Sequence, residues 1–375
     1  MCFVLMNIWV IMGTRPEAIK MAPVVRALEE ISDKVQVTVC LTAQHRELLD
    51  QVIRSFNLPV HYDLNLMTPG QTLVEITSRV LERLSHLFSE KKPSTVLVHG
   101  DTTTTLSAGF ASYYQQIPIG HVEAGLRTYD KYHPFPEEMN RRLVDALSDF
   151  LYAPTEQAKK NLLAEHIEEE KILVTGNTGI DALLYIAEKP YRFEDALLER
   201  LGTERRLIVL TAHRRESFGS PMEEIFQAVA DLVDKNDDIE VLFPVHPNPN
   251  VVASVKKYLQ DKERVYLIPP LEYVPFVHLL KKCYLILTDS GGIQEEAPSL
   301  GKPVLVLRDV TERPEAVQAG TALLVGPHYE RILDTAQKLL DDKDMYQDMA
   351  NKSNPYGDGK AGKRIAGHLY KELSK

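Results

Sequence analysis

Cysteine is scarce in this chain, whose 375 residues include only three, at positions 2, 40 and 283. Three thiols so far apart in the sequence form neither a disulfide framework nor a cysteine-rich zinc site. Cys40 and Cys283 lie at or near the ends of apolar runs, so we expect both to be small buried core residues. No structural metal is expected.

Positive charge is also in deficit, with 43 Lys and Arg against 53 Asp and Glu and a formal net charge of −10. This balance argues against a nucleic-acid partner and against adhesion to anionic membranes. An anionic substrate would therefore need a local basic pocket. The apolar residues 1–12 lack the basic region and cleavage site of a signal peptide and are too short to span a bilayer, so a cytoplasmic protein is expected.

A usable dinucleotide fingerprint is missing as well. Gly357-Asp358-Gly359-Lys360-Ala361-Gly362 matches the glycine spacing, but it follows a polar Asn-Pro-Tyr segment and no predicted strand. The turn that starts at Gly13 is not a Walker loop either, because it lacks the Gly-Lys-Ser/Thr ending. We therefore expect no bound nicotinamide and no other cofactor.

The chain alternates between strand-like apolar runs and helical patterns. Its length exceeds the usual size of one compact core, so two domains are expected. Predicted strands cover residues 8–12, 35–41, 95–99, 118–122 and 150–153, and then 171–175, 206–211, 239–244, 264–268, 284–288 and 304–307. Helical patterns cover residues 16–31, 46–56, 73–89, 104–114, 221–234, 251–259, 274–281 and 294–299. This order predicts an α/β protein with two doubly wound parallel sheets.

We expect a linker near residues 173–181. The first domain would then cover residues 1–172 and the second 173–358, while residues 359–375 would form an amphipathic helix that packs back on the first domain. Ligands of such sheets bind beyond the carboxyl ends of the strands. The residues that directly follow each strand are therefore the candidates for a site.

Charged side chains follow three strands of the first half. Arg15 and Lys20 lie near the start of a helix, where an anion is favoured, although a solvated turn explains them equally well. Asp101 either caps the next helix or acts in acid–base chemistry. Glu123 follows a buried strand, where an unpaired carboxylate is costly. Arg127 could pair with Glu123, but a functional role for this carboxylate is the better interpretation.

A further carboxylate opens a later helix. Pro136 starts this helix, and Glu137 and Arg141 are spaced i,i+4 on one face. An exposed pair of this kind contributes only about 0.3–0.5 kcal/mol and is common. The same pair in a cleft would hold a catalytic carboxylate in place. Spacing alone favours the surface pair.

The second half contains a candidate phosphate site directly after residues 283–287. Asp289 and Ser290 can cap a helix there, and Gly291 and Gly292 let a ligand approach the free N–H groups and the positive end of the helix dipole. Glu296, about one turn further on, could accept hydrogen bonds from ribose hydroxyls. A capped helix without a ligand is the alternative.

Two more positions in the second half suit a nucleotide. His213, Arg214 and Arg215 follow a strand, and arginine offers bidentate contacts to a diphosphate. Phe276 could stack on a base, although packing in the core is the more frequent role of such a ring.

These motifs together resemble the non-hydrolysing UDP-N-acetylglucosamine 2-epimerases. The resemblance extends in order from about residue 8 to residue 365, and stretches of this length are highly specific. It is carried by Gly13-Thr14-Arg15-Pro16-Glu17, Thr42-Ala43-Gln44-His45-Arg46, Val98-His99-Gly100-Asp101-Thr102-Thr103-Thr104, His121-Val122-Glu123-Ala124-Gly125-Leu126-Arg127, Pro136-Glu137-Glu138, His213-Arg214-Arg215-Glu216, residues 288–301 and Thr311-Glu312-Arg313-Pro314-Glu315.

The resemblance implies two Rossmann-like lobes that face a cleft, the glycosyltransferase-B arrangement, usually as a homodimer. It also implies reversible interconversion of UDP-GlcNAc and UDP-ManNAc through loss of UDP, formation of 2-acetamidoglucal and re-addition. Such a product is a precursor for cell-surface polysaccharide. Oxidation at C3 would be another route to an acidic C2 hydrogen, but it would need the nicotinamide site for which no motif was found.

The resemblance assigns roles residue by residue. The acid–base carboxylates would be Asp101, Glu123 and Glu137, with Arg141 orienting or charge-balancing Glu137. The diphosphate would be held by Arg15, His213, Ser290 and Gly291, with the adjacent Gly292 and support from Lys20. Glu296 would bind the ribose, and Phe276 would bind the uracil. Gln44 and His45 would contact a second, activating UDP-GlcNAc.

Four other functions remain open at this stage. A hydrolysing epimerase would release free ManNAc, and a glycosyltransferase would consume UDP-sugar only with an acceptor present. A relative could act on a diacetamido-uronic acid nucleotide. A non-catalytic nucleotide-sugar sensor is disfavoured by the three carboxylates intact in their motifs.

Overall fold

The computed structural model describes residues 5–42, 46–66, 68 and 70–375, and the chain divides into two units. The first unit comprises the residues up to Ala182 together with Gly357–Lys375, and the second is Leu183–Tyr356. Each unit has its own parallel sheet. Within the described ranges no helix combines the length and apolar composition needed to cross a bilayer.

The first unit is built on a sheet with the strand order β3-β2-β1-β4-β5-β6-β7. Its strands are β1 (Met6–Met12), β2 (Val35–Leu41), β3 (Tyr62–Asp63), β4 (Thr95–His99), β5 (Ile119–Val122), β6 (Phe150–Ala153) and β7 (Ile172–Val174). Its helices are α1 (Arg15–Glu29), α2 (Arg46–Phe56), α3 (Leu73–Lys91), α4 (Thr103–Tyr114), α5 (Glu137–Leu147), α6 (Glu156–Ala164) and the start of α7 (Thr178–Glu188). The central strands β4 and β5 are buried along their whole length because helices shield the sheet from solvent.

The second unit has a sheet with the strand order β10-β9-β8-β11-β12-β13. Its strands are β8 (Arg206–Thr211), β9 (Ile239–Pro244), β10 (Val265–Ile268), β11 (Leu285–Thr288), β12 (Val304–Val306) and β13 (Ala322–Leu324). Its helices are α8 (Ala196–Arg200), α9 (Ser220–Lys235), α10 (Pro249–Tyr258), α11 (Tyr273–Lys282), α12 (Gly291–Glu296), α13 (Pro314–Ala319), α14 (Tyr329–Asp341) and α15 (Lys343–Ala350).

Both sheets follow the 3-2-1-4-5-6 strand order of Rossmann folds. The direction of winding reverses between β1 and β4 in the first unit and between β8 and β11 in the second. A crevice opens at such a switch point because the connections leave in opposite directions. The predicted α/β class with two doubly wound lobes is thus confirmed.

One predicted strand belongs to the other sheet. The strand predicted at residues 171–175 was grouped with those of the second half, but it is β7 of the first sheet, where it pairs in parallel with β6 through Leu151 and Ile172. The chain divides later, after Ala182 within α7, whereas the predicted boundary was residue 172. Sheet membership depends on pairing between distant segments, which a local pattern does not reveal.

The C-terminal helix α16 (Ala361–Leu373) belongs to the first unit and packs on α1. Ile365, Ala366 and Leu369 form its buried face. The main-chain N–H of Gly362 donates a hydrogen bond of 2.8 Å to Asp181 Oδ1, which ties the start of α16 to α7. The tail therefore completes the first unit although it is the last part of the chain.

Each unit has a separate hydrophobic core. In the first, Trp9 stacks on Tyr62 at 4.9 Å between ring centroids and meets the edge of Phe88 at 5.6 Å. In the second, Phe226 and Phe243 pack in the cluster between α9 and its sheet. Cys40 and Cys283 are free and buried, as predicted.

Candidate active site

The turns after β1, β4 and β5 bring charged side chains to one edge of the first sheet. These strands are neighbours and run parallel, so their carboxyl ends lie together. Lys20 extends from α1 to form an ion pair with the Glu123 carboxylate. The sequence predicted a site at the carboxyl ends of these strands. In the structure, this edge contains the switch point of the first sheet.

Glu123 has an unusual backbone. It directly follows β5 and has a φ of +69°, in the left-handed region that favours glycine. Its side chain is only 13% exposed and lies against Lys20 and His99, whose Nε2 is 3.7 Å from Glu123 Oε2. Strain of this kind costs about 1–3 kcal/mol and is concentrated at functional sites.

Asp101 lies beside the same group of charges. Burial raises the pKa of its carboxyl, Arg141 opposes this rise, and Glu123 and Glu137 add to it. Asp101 Oδ2 is 3.1 Å from Arg141 Nη2, and 31% of the side chain remains exposed. The three carboxylates predicted from the sequence thus interact electrostatically in one cluster, with Arg141 and Lys20 as counter-charges.

Arg141 does not form the predicted side-chain pair with Glu137. Its guanidinium contacts Asp101 and, at 3.6 Å from Nε, the carboxylate of Glu138, whereas Glu137 accepts a hydrogen bond of 3.4 Å only through its main-chain carbonyl. Glu138 is fully buried and also accepts the N–H groups of Thr128 and Tyr129. The buried carboxylate one position further along the helix therefore holds Arg141.

Arg127 is likewise not the partner of Glu123. Its Nη1 is 2.8 Å from Asp145, and its Nη2 is 2.7 Å from Glu165. Asp145 also contacts Nδ1 of His121 at 2.6 Å, and the other ring nitrogen of His121 lies 2.7 Å from the carbonyl of Gly100. This buried network fixes the turns that present Asp101 and Glu123.

Glu17 links two of the turns. One oxygen of its buried carboxylate accepts the N–H groups of Gly13 and Thr14, and the other accepts hydroxyl groups of Thr102 and Thr105. Burial raises the pKa of Glu17, while these hydrogen bonds act in the opposite direction. The carboxylate therefore holds the turn that contains Arg15 against the turn that contains Asp101.

Sequence reasoning assigned no role to Glu17 or to His99. Glu17 had a readable signal, because Thr14 and Glu17 form the Thr-x-x-Glu capping box that opens α1. His99 and His121 occupy strand positions with no local signature. Gln44 and His45, predicted for a second nucleotide site, lie outside the described residues.

The second unit gathers its predicted residues at the switch point between β8 and β11. Asp289 directly follows β11, and its carboxylate accepts the N–H groups of His213 at 2.6 Å and Arg214 at 2.7 Å. Burial alone would raise the pKa of Asp289, but the His213 side chain and these N–H groups lower it. Asp289 therefore ties the turn after β8 to the turn after β11.

The predicted capping role of Asp289 and Ser290 is not observed. Ser290 is the residue before α12, but its side chain makes no capping hydrogen bond, and its N–H donates to Thr288 Oγ1 at 2.9 Å. The carboxylate of Asp289 is already used by the turn after β8. Neither of these two side chains therefore caps the first N–H groups of α12.

Two arginines flank Gly291. A Cβ atom built at Gly291 would lie 3.8 Å from Nη2 of Arg313 and 4.0 Å from Nη2 of Arg214. Arg214 Nε is buried and has no hydrogen-bond partner among the described residues. Arg313, to which sequence reasoning gave no role, forms an ion pair with the buried Glu295. The space beside Gly291 is therefore suited to an anion.

Three other predicted residues of the second unit lie on α11 and α12. Glu296 ends α12 and is half-buried, Gly292 is exposed, and Phe276 lies half-buried on α11. Within the described ranges, no three His, Cys, Asp or Glu side chains are arranged to hold a metal ion.

The fold and these two clusters define a protein of two Rossmann-like lobes, the class of the glycosyltransferase-B fold. A family model for UDP-N-acetylglucosamine 2-epimerase matches residues 26–370. The UDP-N-acetylglucosamine 2-epimerase of Yersinia pestis is 53% identical over 366 residues, 96% of this chain and 97% of the relative. That of Bacillus subtilis is 52% identical over 97% of this chain and 95% of the relative. The chain belongs to the UDP-N-acetylglucosamine 2-epimerase family.

A solved structure agrees with this assignment. The crystal structure of UDP-GlcNAc 2-epimerase from Neisseria meningitidis bound to UDP-GlcNAc matches with a TM-score of 0.86 and 48% identity. The match covers 98% of this chain and 100% of that chain. The family resemblance and the fold class predicted from the sequence are thus confirmed.

Proposed function

We propose that this chain interconverts UDP-GlcNAc and UDP-ManNAc by eliminating UDP to give 2-acetamidoglucal and then adding UDP back. The observation that supports this most is the cluster of three carboxylates at the switch point of the first sheet, with Glu123 on a strained turn. The product would supply ManNAc-type precursors for cell-surface polysaccharide.

The chemistry of the sugar explains why carboxylates and cations are both needed. The C2 hydrogen has no neighbouring carbonyl, so its removal becomes feasible when the anomeric C–O bond breaks first or at the same time. One carboxylate removes the proton, and another delivers a proton to the opposite face of C2. Asp101, Glu123 and Glu137 are the candidates for these two tasks.

The leaving UDP would be held by the second unit. Fixed positive groups around a departing diphosphate stabilise the charge that develops on it. His213, Ser290, Gly291 and Gly292 would contact the diphosphate. Arg15 and Lys20, near the start of α1, are further candidates for binding phosphate oxygens. Glu296 would accept hydrogen bonds from the ribose, and Phe276 would stack on the uracil.

Incubation of the pure protein with UDP-GlcNAc in heavy water, followed by NMR, tests this proposal. UDP-ManNAc should appear with deuterium at C2, because the proton is exchanged with solvent between removal and return. Free ManNAc with UDP would indicate a hydrolysing enzyme, and no change without an acceptor would indicate a glycosyltransferase. An unlabelled C2 in the product would rule out the proposed proton transfer.

We also propose that the protein acts in the cytoplasm as a homodimer. Sedimentation analysis of the pure protein tests the dimer. The role of Gln44 and His45 in binding a second, activating UDP-GlcNAc is tested by the dependence of the reverse reaction on added UDP-GlcNAc. A reverse reaction that needs none would remove this proposed role.

A further inference from the structure

His99 has a buried nitrogen without a hydrogen-bond partner. It is the last residue of β4, and its side chain is 5% exposed. Nε2 finds no partner among the described residues, and the closest ionisable oxygen is Oε2 of Glu123 at 3.7 Å. Leaving a buried polar atom unpaired costs about 1–3 kcal/mol, so the arrangement calls for an explanation.

The histidine ring is neutral near pH 7. Burial lowers the pKa of His99 to about 3, Glu123 acts in the opposite direction, and Lys20 and His121 add to the lowering. A hydrogen bond from the ring to the main-chain carbonyl of His99 also acts on this pKa, and because Nε2 has no hydrogen-bond partner among the described residues, we assign the ring proton to Nδ1. Nε2 is then a hydrogen-bond acceptor that faces Glu123.

Glu123 therefore has one neighbour that stabilises its charged form and another that can stabilise its neutral form. The ammonium group of Lys20 stabilises the carboxylate. A neutral Nε2 cannot donate to a carboxylate, but it can accept a hydrogen bond from a carboxylic acid. A residue that takes up and returns a proton during one turnover needs both forms to be accessible.

We propose that His99 is a positioning residue that accepts a hydrogen bond from Glu123 while Glu123 holds the proton taken from C2. This rests on the proposed function. The C2–H bond breaks, its electron pair forms the C1–C2 double bond as the C1–O bond to UDP breaks, and the proton joins a Glu123 oxygen. The new O–H group points to Nε2, and no proton passes to His99.

The geometry requires only a small movement. Nε2 and Oε2 must approach by about 1 Å to reach the usual length of an O–H···N hydrogen bond. We attribute this approach to rotation of the Glu123 carboxyl group, whose Oε2 lies between Lys20 and His99. In the reverse reaction, from UDP-ManNAc to UDP-GlcNAc or the converse, the Glu123 carboxylic acid gives up this hydrogen bond and delivers its proton to C2.

The groups that face His99 within the described residues are Lys20 from α1, His121 from β5 and Glu123 from the turn after β5. Removing the acceptor at position 99 leaves Lys20 and His121 in place. The neutral form of Glu123 is then disfavoured relative to the carboxylate. The acidic limb of the kcat/KM profile should therefore move to lower pH.

The test compares His99→Phe, which keeps the ring volume without an acceptor, with His99→Gln, whose amide oxygen can accept near the position of Nε2. His278→Phe is the matched control, because His278 is also buried with an unpartnered Nε2 but stacks on Tyr191 of the second unit. We expect His99→Phe to lose kcat about tenfold with an unchanged KM, and to move the acidic limb to lower pH.

His99→Gln should retain most of the turnover and the wild-type pH profile, and His278→Phe should match the wild type in both. If His99→Phe does not fold, the shorter His99→Asn takes its place, because its amide cannot reach Glu123. Equal turnover and pH profiles in the Gln variant and in the variant without an acceptor would overturn the role of His99. Failure of the wild-type protein to label C2 would instead overturn the proposed function.

Discussion

Three carboxylates in one cluster differ in the charges that they face. Glu123 has Lys20, Asp101 has Arg141, and both Glu123 and Glu137 raise the pKa of Asp101. Asp101 and Glu123 could be predicted from the sequence because Glu123 directly follows a strand and Asp101 comes two residues after one, and a parallel sheet places such residues at one edge. The partner of Arg141 could not be predicted, because i,i+4 spacing indicates which side chains are within reach but not which carboxylate is buried.

Asp101→Asn, Glu123→Gln and Glu137→Gln should each fold and bind UDP but lose turnover by about 10²–10⁴-fold, since each change removes an acid or a base. NMR measurement of turnover and calorimetric titration with UDP check this expectation. Glu90→Gln, at an exposed carboxylate on α3, is the control and should behave as wild type. Wild-type turnover in all three variants would remove the chemistry from this cluster.

The buried His99 should make the folded protein sensitive to acid. Its pKa falls from 6.5 to about 3 on folding, so its contribution to stability is complete above pH 6.5 and is lost as the pH falls toward 3. His99→Phe lacks this titration, and its melting temperature should fall less between pH 6.5 and pH 4. Parallel melting curves for the two proteins over this range would contradict the neutral, buried imidazole.

At the level of the elements, most long apolar runs and long helices could be predicted, and the shortest elements could not. The edge strands β3 and β13 have two and three residues and are too short to show an alternation of apolar and polar side chains. The helix α14 was missed although Ile332, Leu333, Ala336 and Leu340 repeat at helical spacing on its buried face. The membership of β7 in the first sheet depends on pairing with β6 and is not encoded locally.

The packing of α16 on α1 can be tested with two glycines of the same helix. A Cβ at Gly362 would lie 2.7 Å from the carbonyl oxygen of Pro23, whereas a Cβ at Gly367 meets nothing within 4 Å. Gly362→Ala should therefore lower the free energy of unfolding by about 1–3 kcal/mol.

Gly367→Ala is the matched variant and should raise the free energy of unfolding by about 0.5–1 kcal/mol, because alanine favours the helix and fits without a clash. Urea unfolding followed by tryptophan fluorescence checks both changes, since Trp9 is the only tryptophan and is buried in the first unit. Equal effects from the two substitutions would mean that α16 does not depend on close approach at Pro23.

For the molecule as a whole, the sequence predicted two α/β lobes because the strand and helix pattern occurs twice. The same strand order in both sheets, and with it the two switch points, became visible only in the structure. Each unit has its own core, and the lone tryptophan reports on the first unit alone. The two units can therefore be followed separately during unfolding.

UDP should stabilise the second unit more than the first, because most residues proposed to bind it follow β8 and β11. At about 100 times its dissociation constant, a ligand of the folded state adds about 2.7 kcal/mol. Circular dichroism, which detects both units, should show a larger shift of the melting curve than Trp9 fluorescence. Equal shifts by both probes would contradict separate unfolding or the proposed location of UDP.

The left-handed backbone at Glu123 has a consequence for directed evolution. Asparagine and glycine adopt a φ of +69° more easily than glutamate does, so either substitution should relieve strain at this turn. A library of variants selected only for thermostability would accumulate Asn or Gly at position 123. The resulting proteins would be more thermostable but inactive. Selection for thermostability in this chain must therefore include a screen for turnover. Without that screen, it would replace the residue that we expect to accept the C2 proton.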